Sequence, residues 1–214
     1  MTDPTTGARD VVEFGNDEFG AAVRLLLYNP RTVALLPLLI DSAANGHYAP
    51  FAAQFRMAAT ALADALNIGM HNAVMCTEDA PFIDWDAVDA DALAASYLGP
   101  LQLDAIRTMC SIWPDGVLDD GLREPLATDL PVLLLSGEAD PITPPEYAQM
   151  AAVELRQAWL LTGKNQGHGI APVGCMPRVI DLFIDNAALA DGDASCLDDA
   201  FSMPFFLDFT GPAP

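Results

Sequence analysis

The sequence predicts an α/β fold in which a helical stretch leads into a strand–loop–helix–strand–loop–helix unit of a parallel sheet. Two observations predict it. Before Trp113 the apolar residues recur at spacings of three and four, as in Phe51, Phe55, Ala58, Leu62 and Leu66, which gives a helix one apolar face. After Leu126 the pattern changes to short unbroken apolar runs bounded by turn residues, as in strands buried on both faces of a parallel sheet.

The elements follow in order. The first eighteen residues are polar and hold a turn-like Asp3-Pro4-Thr5-Thr6-Gly7. Helices are expected from about Phe19, with a break at Asn45-Gly46. Leu93 to Trp113 reads as one or two further helices, interrupted at Gly99-Pro100 and ended by Pro114-Asp115-Gly116. Pro131-Val132-Leu133-Leu134-Leu135 reads as the first strand and Ser136 to Pro141 as a loop. Thr143-Pro144-Pro145-Glu146 matches a capping box with proline at the first helical position, so a helix should run to about Glu154. Ala158 to Leu161 reads as the second strand, Gly163 to Gly169 as a loop, and a helix should follow to about Asn186. This alternation is that of a parallel βαβα unit. The expected divisions are 1–18 as a leading segment, 19–125 as a helical region and 126–214 as the α/β portion.

Composition excludes several functions. Nine basic and thirty acidic residues give a net charge of −21, and Lys164 is the one lysine. A nucleic-acid binder needs a basic stripe, so nucleic acid is not an expected partner. No apolar run is long enough to span a bilayer, and the best candidate, Val33 to Ile40, is eight residues long and contains Pro37. Acidic Asp3, Asp10, Glu13 and Asp17 and the lack of an apolar core argue against a signal peptide. Cys76, Cys110, Cys175 and Cys196 have no CxxC spacing, and there are three histidines. A metal site is therefore not expected, nor a cofactor. The spacings alone leave two disulfides and buried free thiols equally open.

Chemistry concentrates where reactive groups of parallel sheets collect, at the carboxyl ends of the strands. Asp140 lies just past the first strand, and His168 lies in the loop after the second. A carboxylate there accepts the imidazole Nδ1–H, fixes the tautomer and stabilises the imidazolium formed during catalysis. Taken singly, Asp140 is an ordinary turn aspartate and His168 a solvated loop histidine. Their joint placement, acid before base, favours a catalytic pair. His47 and His71 read as packing or surface residues.

The stretch from Pro131 through Asp140 to Pro145 resembles the acid segment of α/β-hydrolases, and Gln166-Gly167-His168-Gly169 resembles their histidine segment. More narrowly, the chain is similar to the tripeptidyl-aminopeptidase and proline-iminopeptidase branch with its TAP-like C-terminal domain. That likeness rests on Met70 to Phe82, on Cys110-Ser111-Ile112-Trp113-Pro114, on the tail from Cys196 to Phe206, and on Asp3 to Gly7. The resemblance implies a partial α/β-hydrolase fold, with 19–125 as a helical cap followed by the last βαβα unit of the sheet. It implies a serine peptidase of aminopeptidase type acting on short peptides, or on a small ester or amide. Glu78 and Asp79 are then candidates to receive the substrate's free α-amino group, against a plain reading as an exposed acidic pair. It also implies Cys76–Cys110 and Cys175–Cys196 disulfides and an exported or periplasmic setting for full-length relatives. Any leader would lie on a segment preceding Met1.

One departure from the family is decisive for activity. The triad of this fold runs serine, acid, histidine, with the serine in G-x-S-x-G. Ser42, Ser96, Ser111, Ser136, Ser195 and Ser202 all lack glycine at both −2 and +2. The chain is therefore expected to begin after the nucleophile half and to be inactive alone. Ser136 and the cysteines are weak substitutes. The alternatives are a non-catalytic peptide-binding or subunit-interaction module, and a truncated reading frame. A first strand lacking its usual neighbour should leave an unpaired edge and an exposed apolar patch, favouring a complementary hydrolase half or self-association as partner.

Overall fold

A computed structural model describes residues 7, 9, 11, 13–197 and 203–212. Apart from Gly7, the Asp3–Gly7 turn lies outside the described residues, as does part of the tail after Cys196. In chain order the elements are α1 (Asn16–Leu26), α2 (Pro30–Val33), α3 (Leu36–Ala44), α4 (Ala49–Ala65), α5 (Ile68–Val74), α6 (Ala90–Ala94), α7 (Leu101–Cys110), β1 (Thr128–Gly137), α8 (Pro145–Ala152), β2 (Leu155–Gly163) and α9 (Met176–Asn186). The chain forms two compact units. One comprises the described residues up to Leu25 with Leu39–Arg123, and the other comprises Leu26–Leu38 with the described residues from Glu124 onward.

The first unit is helical. Phe51 is fully buried on α4, with its ring 4.7 Å from Phe19 and 5.8 Å from Phe14. The apolar row on α4 is buried only at its start, because Leu62 and Leu66 are both exposed. Asn67 caps α5 by accepting the Met70 N–H at 3.0 Å. A wide turn at Met75–Asp79 follows. The Cys76–Cys110 disulfide ties that turn to α7.

The second unit is built on a parallel pair, β1 and β2, in register from Pro131↔Gln157 to Gly137↔Gly163. Both strands are longer than the apolar runs suggest, since backbone pairing continues through polar Ser136 and Thr162. An irregularity separates the Thr128 pairing from that at Pro131, where proline offers no N–H to the ladder. Among the described residues this sheet has two strands.

Helix α9 supplies the core. Met176 and Val179 are buried with Ile170, and Leu135, Leu161 and Ile180 pack against them. Fully burying one such side chain stabilises by about 1.5–3 kcal/mol. Phe183, one turn on from Val179, meets the Trp159 ring edge-on at 5.5 Å. The helix stops at Ala187, whose left-handed φ of 53° lets its N–H bond back to the Phe183 carbonyl. The Cys175–Cys196 disulfide joins the start of α9 to the short turn at Ser195–Leu197. Tyr147, Met150 and Val153, spaced by three along α8 and its end, are all exposed.

The capping box expected at Thr143–Glu146 does not form. Helix α8 does begin at Pro145, but Pro144 occupies the cap position and no side chain caps the helix. The Thr143 hydroxyl is engaged elsewhere.

Candidate active site

Because β1 and β2 end together at Gly137 and Gly163, their following loops leave the sheet side by side. The loops are stitched by backbone bonds. Glu138 N–H donates to the Gly163 carbonyl at 3.0 Å, and Ala139 N–H to the Gln166 carbonyl at 2.9 Å. The Glu138 carboxylate accepts the Asn165 N–H at 2.8 Å, which holds the left-handed turn at Asn165. Gly137 is required by this stitching, because a Cβ there would collide with the Gly167 and Gln166 carbonyls. A Cβ on Gly167 would likewise collide with the Tyr28 carbonyl.

These contacts bring Asp140 and His168 together. His168 Nδ1 lies 2.9 Å from Asp140 Oδ2 and 3.2 Å from Oδ1. The Asp140 side chain is 3% exposed and that of His168 40% exposed. An ionised carboxylate only accepts hydrogen bonds, so Nδ1 carries the proton and donates it. In the neutral ring Nε2 then holds the lone pair. The ring also meets Tyr28 edge-on at 5.4 Å, and the His168 N–H donates to the Tyr28 carbonyl at 2.9 Å.

Asp140 is saturated by donors. Its Oδ1 accepts the Ile142 N–H at 2.8 Å and the Thr143 N–H at 3.1 Å. Its Oδ2 accepts the Thr143 hydroxyl at 2.9 Å. Burial pushes the carboxyl upward, but the bonds from Ile142, Thr143 and His168 outweigh it and hold Asp140 below its ordinary value. The Thr143 oxygen also lies 3.4 Å from His168 Nδ1. Its single proton goes to Asp140, so toward the imidazole it acts as an acceptor. Thr143 thus braces both members of the pair, a role hidden from the sequence by its fit to a helix cap. The available signal was a threonine three residues after an aspartate, the spacing of an Asx-type turn.

Ser136 belongs to β1, and its buried hydroxyl has no hydrogen-bond partner among the described residues. It is neither engaged by His168 nor open to a substrate, which contradicts a nucleophilic role. Glu78 and Asp79 belong to the first unit and are exposed there. They line a hollow of about 620 Å³ with Phe82, Ile83, Leu122 and Arg123. The Arg123 guanidinium sits 4.2 Å above the Phe82 ring. His47 and His71 are exposed, and His71 contacts the Asn72 side chain at 3.3 Å. All four cysteines are bonded, as Cys76–Cys110 and Cys175–Cys196. Among the described residues no group of three or more His, Cys, Asp and Glu could hold a metal ion. Nor is any helix among them long and apolar enough to cross a membrane.

Residues 96–196 match the family model described as TAP-like protein, an α/β-hydrolase family. This segment is related to the TAP-like α/β hydrolases. The TAP-like segment includes β1, α8, β2 and α9, together with Asp140 and His168. No curated protein and no solved structure matches the chain. The TAP-like relationship suggests hydrolase chemistry, and the helices with a parallel strand pair agree with a partial α/β fold.

Proposed function

We propose that the chain provides the acid and base of a serine peptidase of aminopeptidase type, with the nucleophile supplied by a complementary hydrolase half. The observation that carries this reading is the 2.9 Å bond from His168 Nδ1 to buried Asp140. In the proposed reaction, His168 Nε2 takes the proton of the incoming serine hydroxyl as its oxygen attacks the substrate carbonyl. Asp140 stabilises the resulting imidazolium and keeps the ring in place. Backbone amides of the complementary half hold the oxyanion. Nε2 then passes its proton to the leaving amine, and water activated by the same nitrogen releases the acyl group. Glu78 and Asp79 are proposed to receive the protonated amino end of a short peptide.

A fluorophosphonate probe tests the reading. The purified chain alone should remain unlabelled, since its serines lack the nucleophile context. Co-expression with a G-x-S-x-G-bearing half of a TAP-like hydrolase should restore labelling, and Asp140→Asn should reduce turnover by about 10³–10⁴-fold through the wrong tautomer. Stoichiometric labelling of the chain alone, or labelling that His168→Gln leaves intact, overturns it. A subunit-interaction role is favoured by one observation, the exposed row Tyr147, Met150 and Val153. Sedimentation of the wild type and of Met150→Glu tests that role. A monomer in both cases counts against self-association.

A further inference from the structure

A cavity of about 350 Å³ opens beside His168, lined among others by Tyr28, Arg31, Gln166, Pro172 and Met203. Its size suits a small ligand or one end of a peptide. We infer that this cavity binds a ligand carboxylate through Arg31, and so selects substrates that carry a free carboxylate next to the reacting bond. The inference rests on His168 being the reacting end of the site.

Charge distribution carries the argument. The chain has thirty acidic residues among 214, yet none of the described residues lining this cavity is acidic. One of them, Arg31, is of the kind that stays positive. A field set by −21 net charge repels anions in general, so a carboxylate needs a local cation, and this wall provides one.

The guanidinium of Arg31 is also uncommitted. Among the described residues it enters neither an ion pair nor a side-chain hydrogen bond, while its backbone N–H is held by Asn29 Oδ1 at 2.9 Å. Asn29 caps α2 and so fixes Arg31 in its first turn. The cavity is further constrained by the His168 N–H bond to the Tyr28 carbonyl, which joins the wall bearing Arg31 to the loop bearing His168. Arg31 lines this cavity, and a guanidinium offers two parallel donors to a carboxylate. A carboxamide of the same shape gains no such pairing.

The test measures binding and needs no turnover. The full chain is titrated with three blocked dipeptides while the His168 ring resonances are followed by NMR, assigned with His168→Gln. Acetyl-alanyl-alanine carries a terminal carboxylate, its amide carries none, and acetyl-glutamyl-alanine amide carries a side-chain carboxylate. The wild type should bind one or both acids roughly fivefold or more tighter than the neutral amide, and which acid wins identifies the source of the carboxylate. Arg31→Gln should erase the preference and Arg31→Lys should retain part of it, with unchanged circular dichroism because the residue is exposed. Equal binding of all three peptides, absence of binding, or a full preference surviving in Arg31→Gln overturns the inference. A carboxylate preference in a chain that no nucleophile half activates would uphold carboxylate binding through Arg31, while sinking the catalytic reading and the substrate selection that rests on it.

Discussion

The backbone N–H of His168 donates to the carbonyl of Tyr28 at 2.9 Å, linking the histidine loop to a segment far earlier in the chain. That bond fixes the histidine backbone, while Asp140 fixes its ring. The approach is close because Gly167 has no side chain, and the neighbouring loop approaches closely because Gly137 has none.

Gly137→Ala should therefore displace the Gln166–Gly167 carbonyls and break the Ala139 bond to Gln166. A backbone collision of this kind destabilises by about 1–3 kcal/mol or more. Chemical denaturation should show the loss, and the His168 ring resonance should broaden or shift. A variant with native stability and an unshifted ring would show that the loops tolerate separation.

Thr143→Val removes the hydroxyl that donates to Asp140 Oδ2 while preserving shape. Losing a hydrogen bond to a buried carboxylate should cost about 1.5–3 kcal/mol. In the reconstituted enzyme turnover should fall roughly tenfold, with Thr143→Ser restoring most of it. Nitrogen-15 spectra of the imidazole provide the discriminating readout, because loss of packing alone leaves the Nδ1–H tautomer fixed. An unchanged tautomer distribution in Thr143→Val would limit the residue to a structural role.

Asp140 should make stability depend on acid. Its native pKa is depressed by hydrogen bonds that outweigh burial, so it binds protons less readily folded than unfolded. Its contribution is present in full above the unfolded value of about 3.9 and is lost as pH falls through the lower native value. Asp140→Asn should be less stable than the wild type near neutrality, and the gap should narrow below about pH 4. Urea midpoints across that range check it, and a gap independent of pH would refute the assignment of the charge.

The Cys175–Cys196 bond closes a sequence separation of 21 and the Cys76–Cys110 bond one of 34. Chain entropy assigns each roughly 3–4 kcal/mol. Cys175→Ser/Cys196→Ser should loosen the packing of α9 on Leu135 and Leu161, exposing amides around Val179 to hydrogen exchange. Unchanged protection there would mean that α9 is held by its apolar face alone.

Sequence by itself determined the features that rest on local pattern. The unbroken run Pro131–Leu135 marks a parallel strand, Pro145 marks the first turn of a helix, Asn45-Gly46 stops one, and the positions of Asp140 and His168 place an acid and a base after successive strands. Periodicity and turn chemistry are properties of neighbouring residues, so the linear order carries them. The tertiary structure decided how polar groups are partnered. Thr143 fits a helix cap in sequence, yet its hydroxyl turns to Asp140 because the folded loop brings a buried carboxylate within reach. Ser136 reads as a loop residue beside the site, yet strand pairing carries it inside. Tyr28, whose carbonyl anchors His168, gives no local sign of that role. A donor chooses among acceptors by distance in the folded chain, and spacing along the sequence encodes that distance only within a turn or two.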